Sequence, residues 1–144
     1  MAHACCRSSQ TAVKLLIDTD ICIAILNGDD RVRPHLERHA PSSLRMSAIT
    51  LAELRFGVAK SSQPKRVAAK LNLLRSKVAV VPFDEVATDR YGELRALLER
   101  RGTAIGPLDT LIAAHALSLK WTLATHNVRE FRRVPGLKVD DWLS

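Results

Sequence analysis

The 144-residue sequence predicts an α/β fold, an α/β/α sandwich with a mainly parallel sheet of four or five strands. Short apolar runs of the kind found in buried strands alternate with longer segments in which apolar residues recur at helical spacing. Several of these runs end directly in polar residues, at the edge where such sheets bind their ligands. No repeat, linker or low-complexity segment interrupts the alternation, so a single domain with right-handed crossovers is expected.

The strands follow from apolar runs and from the residues that flank them. Residues 1–11 are polar, small and aperiodic, which indicates a flexible amino-terminal arm before a domain that spans residues 12–144. Strands are predicted at residues 13–17, 44–47, 78–81 and 121–124, with a last edge strand at 138–142.

Helix signals fill the intervals between these runs. Helices are predicted at residues 21–26, from 29 or 30 to 37, at 48–58, 64–77, 84–101 and 107–119, and as a short turn at 129–131. Asp84 is expected to cap its helix, whereas Thr50 and Glu53 have the spacing of a capping box. His115 lies on an apolar helix face, which favours a packed core residue over a ligand.

Asp109 stands in the first turn of the helix that Gly106 and Pro107 introduce. A carboxylate at this position has two interpretations. It can complement the positive end of the helix dipole, or it can belong to a site on which other acids converge.

Other acids are indeed expected at the same edge of the sheet. Asp18 and Asp20 follow the first predicted strand, and Thr125 and Asn127 follow the fourth. Glu53, like Asp109, stands near the start of a helix that faces this edge. Together these residues predict an acidic crevice at the carboxyl ends of the strands.

The chain as a whole is basic, with 22 Lys and Arg against 15 Asp and Glu and a formal charge of +7. Such a surplus attracts polyanions or acidic protein surfaces, although it can also serve solubility alone. The helix that begins at Pro64 carries a basic face, which is either solvated or a track for a phosphate backbone. Its candidate RNA-binding residues are Lys65, Arg66 and Lys70.

The cysteines and the apolar runs limit the cellular setting. Three cysteines do not form the framework of a secreted disulfide-rich domain, so a reducing cytoplasm is expected. No run is long enough to span a bilayer. His3, Cys5 and Cys6 lack a second pair at the spacing of a metal site.

The predicted crevice favours a hard divalent cation, Mg²⁺ or Mn²⁺, because clustered carboxylates need compensation and offer only oxygen ligands. In a basic protein this combination indicates phosphodiester cleavage by metal-activated water. No Gly-rich phosphate loop and no Ser-His-Asp arrangement competes with it. His126 follows a strand, which makes it a candidate for contact with a substrate.

Four motifs occur in an order and at a spacing that are specific together, although each is weak alone. They are Leu16-Ile17-Asp18-Thr19, the run from Ser47 to Leu54 with Phe56-Gly57, the run from Ile105 to Ala113, and Thr125-His126-Asn127 followed by Arg129-Glu130-Phe131, Val134-Pro135-Gly136-Leu137 and Asp141-Trp142. From about residue 15 to residue 142 the chain resembles the PIN-domain ribonucleases of the VapC toxin type.

The resemblance implies a PIN-like fold and a set of site residues. Asp18, Glu53 and Asp109 match the acidic metal-site residues of the family, and Asn127 matches a position that is Asp or Asn in its members. The implied activity is Mg²⁺- or Mn²⁺-dependent endoribonuclease cleavage of structured RNA, in tRNA or ribosomal RNA loops. The implied partners are a second copy of the chain and a VapB-type antitoxin from the same operon, whose carboxyl-terminal segment covers the groove.

Two positions depart from the family pattern. Asp20 stands where members commonly carry Asn, so its extra charge either tightens the ion, recruits a second one or disturbs the site. Asn127 brings no charge where some members have Asp, which favours a water-holding role. Thr125 and Asp20 are therefore expected to modulate the site.

Two other functions compete with this interpretation. A strand ending in Asp18-Thr19-Asp20 is similar to that of haloacid-dehalogenase-like phosphatases, but Cys22 stands where a hydroxyl is wanted and a later acidic pair is missing. The second alternative is a catalytically silent domain that binds RNA or a protein partner.

Overall fold

The computed structural model describes residues 14 to 144 of the chain. The predicted arm at residues 1–11 and the weak metal-site candidate at His3, Cys5 and Cys6 lie outside the described residues. Within residues 14–144, no helix is both long and apolar enough to cross a membrane.

The centre of the fold is a five-stranded sheet in which every pairing is parallel, in the order β3-β2-β1-β4-β5. The strands are β1 (Leu15–Ile17), β2 (Leu44–Ser47), β3 (Ala79–Val81), β4 (Thr122–Thr125) and β5 (Val139–Asp141). The prediction of a mainly parallel α/β sheet with a last edge strand is confirmed, because β5 pairs only with β4. The first apolar run forms the central strand.

Seven helices connect and cover these strands within the described chain. They are α1 (Thr19–Leu26), α2 (Arg33–Arg38), α3 (Ala48–Lys60), α4 (Pro64–Lys77), α5 (Glu85–Arg100), α6 (Pro107–Leu119) and α7 (Val128–Phe131). Short 3-10 turns at Asp30–Val32 and Pro41–Ser43 precede α2 and β2. Each predicted helix has a counterpart: α4 and α6 have the predicted ends, whereas the ends of the other helices differ from the prediction by at most four residues.

Two apolar cores lie on opposite faces of the sheet. Leu15 and Ile17 belong to the core beneath α1, α3 and α4, whereas Leu16 belongs to the core beneath α5, α6 and α7. This division follows from the alternation of side chains along a strand, and it explains why β1 is continuously apolar. The α/β/α sandwich is therefore confirmed.

Three local predictions need correction. Helix α1 begins at Thr19, two residues earlier than predicted, because the Asp18 carboxylate accepts the backbone N–H of Thr19 at 2.8 Å and caps the helix. Strand β4 runs one residue later than predicted, from Thr122 to Thr125. The proposed capping box is wrong because Ser47 Oγ accepts the N–H of Ile49 and caps α3 instead.

Candidate active site

Asp18 lies at the centre of the carboxyl edge of the sheet, directly after β1. Its backbone N–H continues the pairing with β4 by donating to the carbonyl of Ala124 at 2.9 Å. Its Oδ1 accepts the N–H of Thr19, and its Oδ2 accepts the hydroxyl of Thr125 at 2.8 Å. Only 5% of Asp18 is exposed, so two hydrogen bonds fix a nearly buried carboxylate.

Glu53 reaches the site from α3. Its Oε1 accepts the hydroxyl of Thr19 at 2.7 Å, and that hydroxyl also lies 3.4 Å from the hydroxyl of Thr50. The Thr19 side chain therefore joins the first turn of α1 to the middle of α3. Sequence reasoning did not single out Thr19, although its place between Asp18 and Asp20 is a signal that could have identified it.

Asp109 enters from the first turn of α6, as predicted. The amide Nδ2 of Asn127 lies 3.3 Å from Asp109 Oδ2 and 2.8 Å from Glu130 Oε2. Glu130 Oε1 accepts the backbone N–H of Gly106 at 2.9 Å, which satisfies a donor at the start of α6. The structure thus brings Asp18, Glu53, Asp109 and Asn127 to one edge.

Glu130 is a site residue that sequence reasoning missed. It follows Asn127 by three residues, and residues at this spacing on a helix lie on the same face. The motif Asn127-Val128-Arg129-Glu130 at the end of β4 therefore contained the signal, but nothing local showed that its partner is Gly106.

Three carboxyl groups at this edge have raised pKa values. Burial, with the neighbouring charge of Asp20, raises the pKa of Asp18 to about 7. Burial, with the charge of Glu130, raises the pKa of Asp109 to about 6. Burial also raises the pKa of Asp20. The site therefore holds more negative charge than its own hydrogen bonds compensate.

The donor set suits a hard divalent cation. The acidic side chains of the site offer only oxygen atoms as metal ligands. One of these atoms, Asp20 Oδ1, is buried and has no hydrogen-bond partner among the described residues. However, no three His, Cys, Asp or Glu side chains of residues 14–144 converge as a ready-made metal cage. Glu53 is instead bonded to Thr19, and burial with the charge of Glu130 raises the pKa of Asp109. The chemistry and the uncompensated charge of these residues fit a divalent cation.

Other predicted residues lie apart from this cluster. Lys65 and Arg66 are exposed and Lys70 is half-buried on α4, and none of them forms a hydrogen bond or ion pair with the acids. His115 is 1% exposed and confirmed as a core residue, where its Nδ1 lies 2.7 Å from Ser47 Oγ.

Comparisons with known proteins agree with this architecture. The family model described as PIN domain matches residues 15–137. Ribonuclease VapC2 of Rickettsia felis is 39% identical over 129 residues, which cover 88% of this chain and 96% of that protein. The tRNA(fMet)-specific endonuclease VapC of Salmonella typhimurium is 38% identical over 131 residues, which cover 90% of this chain and 98% of that protein.

The fold is also similar to that of a solved toxin–antitoxin complex. A chain in the crystal structure of VapBC2 from Rickettsia felis, bound to a DNA fragment from their promoter, has a TM-score of 0.85 and 36% identity. The match covers 90% of this chain and 99% of that chain.

Proposed function

The chain belongs to the PIN-domain family of VapC ribonucleases, and from this membership we propose that it is a toxin that cleaves structured RNA, with tRNA as substrate, using Mg²⁺ or Mn²⁺. As an endoribonuclease it hydrolyses phosphodiester bonds within the RNA chain. The proposal of tRNA is supported by the specificity in the name of the Salmonella relative. We further assign residues 12–144 as the nuclease domain.

The observation that carries the metal-dependent function is the convergence of carboxylates with raised pKa values. Asp18 follows a strand and Asp109 stands on a helix, and burial raises the pKa of both carboxyl groups. Neighbouring charges raise these pKa values further, Asp20 for Asp18 and Glu130 for Asp109. A fold gains no stability from such an arrangement by itself, because buried like charges repel. It is the arrangement expected where a divalent cation supplies the missing positive charge.

Asp18, Asp109 and Glu53 would hold the ion. When bound, a divalent ion lowers the pKa of a water molecule and neutralises charge on the phosphate. The hydroxyl of Thr125 and the N–H of Thr19 fix the two oxygens of Asp18. Through these contacts the chain holds the central ligand in one orientation before substrate binds.

Asn127 would hold the attacking water. Its Nδ2 is directed at Asp109 and Glu130, which leaves the amide oxygen to accept a hydrogen from water. Asp20 bonds the backbone of His126 through Oδ2, so we propose that it modulates the site mainly by fixing this segment. Lys65, Arg66 and Lys70 would contact the RNA at a distance from the scissile bond.

We propose a VapB-type antitoxin and a second copy of this chain as protein partners, in the cytoplasm where the RNA substrate is found. Complexes of related chains with VapB support the first partner. The second copy of the chain follows from the family resemblance.

Incubation of the purified chain with total tRNA tests the proposed function. We expect discrete cleavage with Mn²⁺, none with Mn²⁺ plus chelator, and none from the Asp109→Asn variant. RNA left intact in every lane, by a folded chain that binds Mn²⁺, would contradict the proposal. Cleavage that persists in chelator would contradict only its metal dependence.

A further inference from the structure

A histidine that the mechanism above does not use lies in the segment that closes the acidic site. The backbone N–H of His126 donates to Asp20 Oδ2 at 3.0 Å. Its neighbours Thr125 and Asn127 contact Asp18 and Asp109, so three consecutive residues each contact a different carboxylate. The backbone of His126 is therefore fixed at the edge of the site.

The ring of His126 is held by Asp141, the last residue of β5. Ring Nδ1 lies 3.1 Å from Asp141 Oδ1, which also accepts the backbone N–H of Leu143 at 3.0 Å. A carboxylate can only accept, so Nδ1 carries the hydrogen of this bond. Two contacts therefore orient His126, one through its backbone and one through its ring.

The other ring nitrogen is directed away from these contacts. The side chain of His126 is 54% exposed, and Nε2 has no hydrogen-bond partner within residues 14–144. With Nδ1 bonded to Asp141, Nε2 accepts a hydrogen bond when the ring is neutral and donates one when it is charged. The fold thus presents one oriented polar atom beside a cluster of acids.

The substrate needs such an atom. Carboxylates that do not hold the ion repel the phosphates of an RNA backbone, so the backbone beside the site needs contacts from residues that are not acidic. In the segment after β4, His126 is exposed and lies between two residues that contact the acidic cluster. Its ring is oriented by β5, which lies at the open edge of the sheet.

We propose that His126 is a substrate-contacting residue whose Nε2 hydrogen-bonds the ribose–phosphate backbone of the RNA beside the scissile phosphate, with Asp141 as its positioning residue. The bond is either accepted from a ribose 2′-hydroxyl or donated to a phosphate oxygen. This inference rests on the proposed ribonuclease function for the identity of the polymer, but its test does not require cleavage.

Binding of a fluorescent tRNA(fMet) transcript in Mg²⁺ buffer, measured by anisotropy, tests the contact. The Asp109→Asn chain is compared with the Asp109→Asn/His126→Ala chain, so that cleavage does not interfere. We expect Kd to rise about fivefold, the effect of one net hydrogen bond. Lys138→Ala in the same background is the control for a change of surface charge, because Lys138 is exposed and precedes β5, at the amino end of the strand and away from the acidic site.

A double-mutant cycle tests the positioning role of Asp141. Asp141→Asn removes a negative charge and so favours RNA binding generally, whether or not His126 is present. If Asp141 orients the ring, Asp141→Asn lowers Kd less in the chain that keeps His126 than in the His126→Ala chain. Equal effects in the two chains would overturn the positioning role.

A probe with 2′-deoxyribose throughout its loops identifies the contacted group. Loss of the His126→Ala effect on this probe indicates the 2′-hydroxyl, whereas persistence indicates a phosphate, and both support the contact. Equal binding by the chains with and without His126, or binding by neither, overturns the inference. If wild type cleaves no RNA yet His126→Ala weakens binding, the proposed nuclease function fails and the contact stands. Circular dichroism confirms that the variants are folded.

Discussion

The side-chain amide of Asn127 lies between two carboxylates, with Nδ2 at 2.8 Å from Glu130 Oε2 and at 3.3 Å from Asp109 Oδ2. Glu130 is thus close enough to contribute, after burial, to the raised pKa of Asp109. The same residue bonds the N–H of Gly106 at the start of α6. Glu130 therefore contributes both to fixing the start of α6, which carries Asp109, and, after burial, to the raised pKa of Asp109.

Replacing Glu130 with Gln removes this neighbouring charge while keeping a side chain that can bond Gly106. The pKa of Asp109 is about 6 in the wild type and should fall toward its ordinary value. Because protons compete with metal for the carboxylate, Mn²⁺ binding by Glu130→Gln should persist to lower pH than in wild type. Titration of Mn²⁺ affinity between pH 5 and pH 8 measures this, and Glu99→Gln on the exposed surface is the matched control. An unchanged pH dependence would contradict the role of Glu130.

Asp18→Asn should stabilise the metal-free chain at neutral and alkaline pH. Burial, with the charge of Asp20, raises the pKa of Asp18 from 3.8 to about 7. A raised carboxyl pKa favours the protonated folded state, so this contribution to stability is present below pH 4 and is lost as pH rises to about 7. Above pH 7 the Asn variant should be more stable by on the order of 1 to 3 kcal/mol.

Urea unfolding at pH 4.5, 6 and 8 without divalent ions provides the measurement. The gain should be small at the lowest pH, and Mg²⁺ should raise the Tm of the wild type more than that of Asp18→Asn. A variant that is less stable than wild type at pH 8 would show that the two hydrogen bonds of Asp18 outweigh its desolvation.

Thr19→Val should reduce activity without unfolding the chain. Valine keeps the shape of threonine but lacks the hydroxyl that bonds Glu53 at 2.7 Å. Substitutions of groups that orient metal ligands typically cost roughly 10-fold to 100-fold in activity or metal affinity. Thr19→Ser, which keeps the hydroxyl, is the control and should retain most cleavage of tRNA. Equal activity of the two variants would remove Thr19 from the site.

Ser47→Ala should destabilise the fold through two lost contacts. Ser47 caps α3 and lies 2.7 Å from His115 Nδ1, and Nε2 of this buried histidine already has no partner among the described residues. A lost cap costs about 1 kcal/mol, and a buried polar group left unpaired costs about 1 to 3 kcal/mol more. Asp84→Ala removes an exposed cap alone and should cost only about 1 kcal/mol. Urea unfolding of both variants compares the two costs.

Expression of the chain without an antitoxin should arrest growth of the host cell, and Asp18→Asn or Asp109→Asn should each relieve the arrest. Both substitutions remove a carboxylate proposed to hold the divalent ion while leaving a side chain of the same size. Colony counts and protein levels after induction provide the measurement. Arrest by both variants at wild-type protein levels would place the toxicity outside the acidic site.

The sequence by itself determined the order of the elements and the edge at which the site lies. The run from Leu15 to Ile17 is apolar at every position, which requires a strand buried on both faces and hence helices on each side. Pro107 and the periodic apolar residues after it determined the start of α6, because proline suits a first helical turn that lacks backbone acceptors. Both signals are local, because each depends only on residues a few positions apart in the sequence.

Only the tertiary structure decided which polar groups pair within the site. Ser47, and not Thr50, caps α3, because the helix already begins at Ala48 and Thr50 lies within its first turn. The Thr19–Glu53 and Thr125–Asp18 hydrogen bonds join residues 34 and 107 positions apart. Glu130 is placed in the site by its hydrogen bond to the N–H of Gly106, 24 positions away. Such contacts leave no periodic pattern in the sequence, because they exist only once parallel strands bring their carboxyl ends together at one edge.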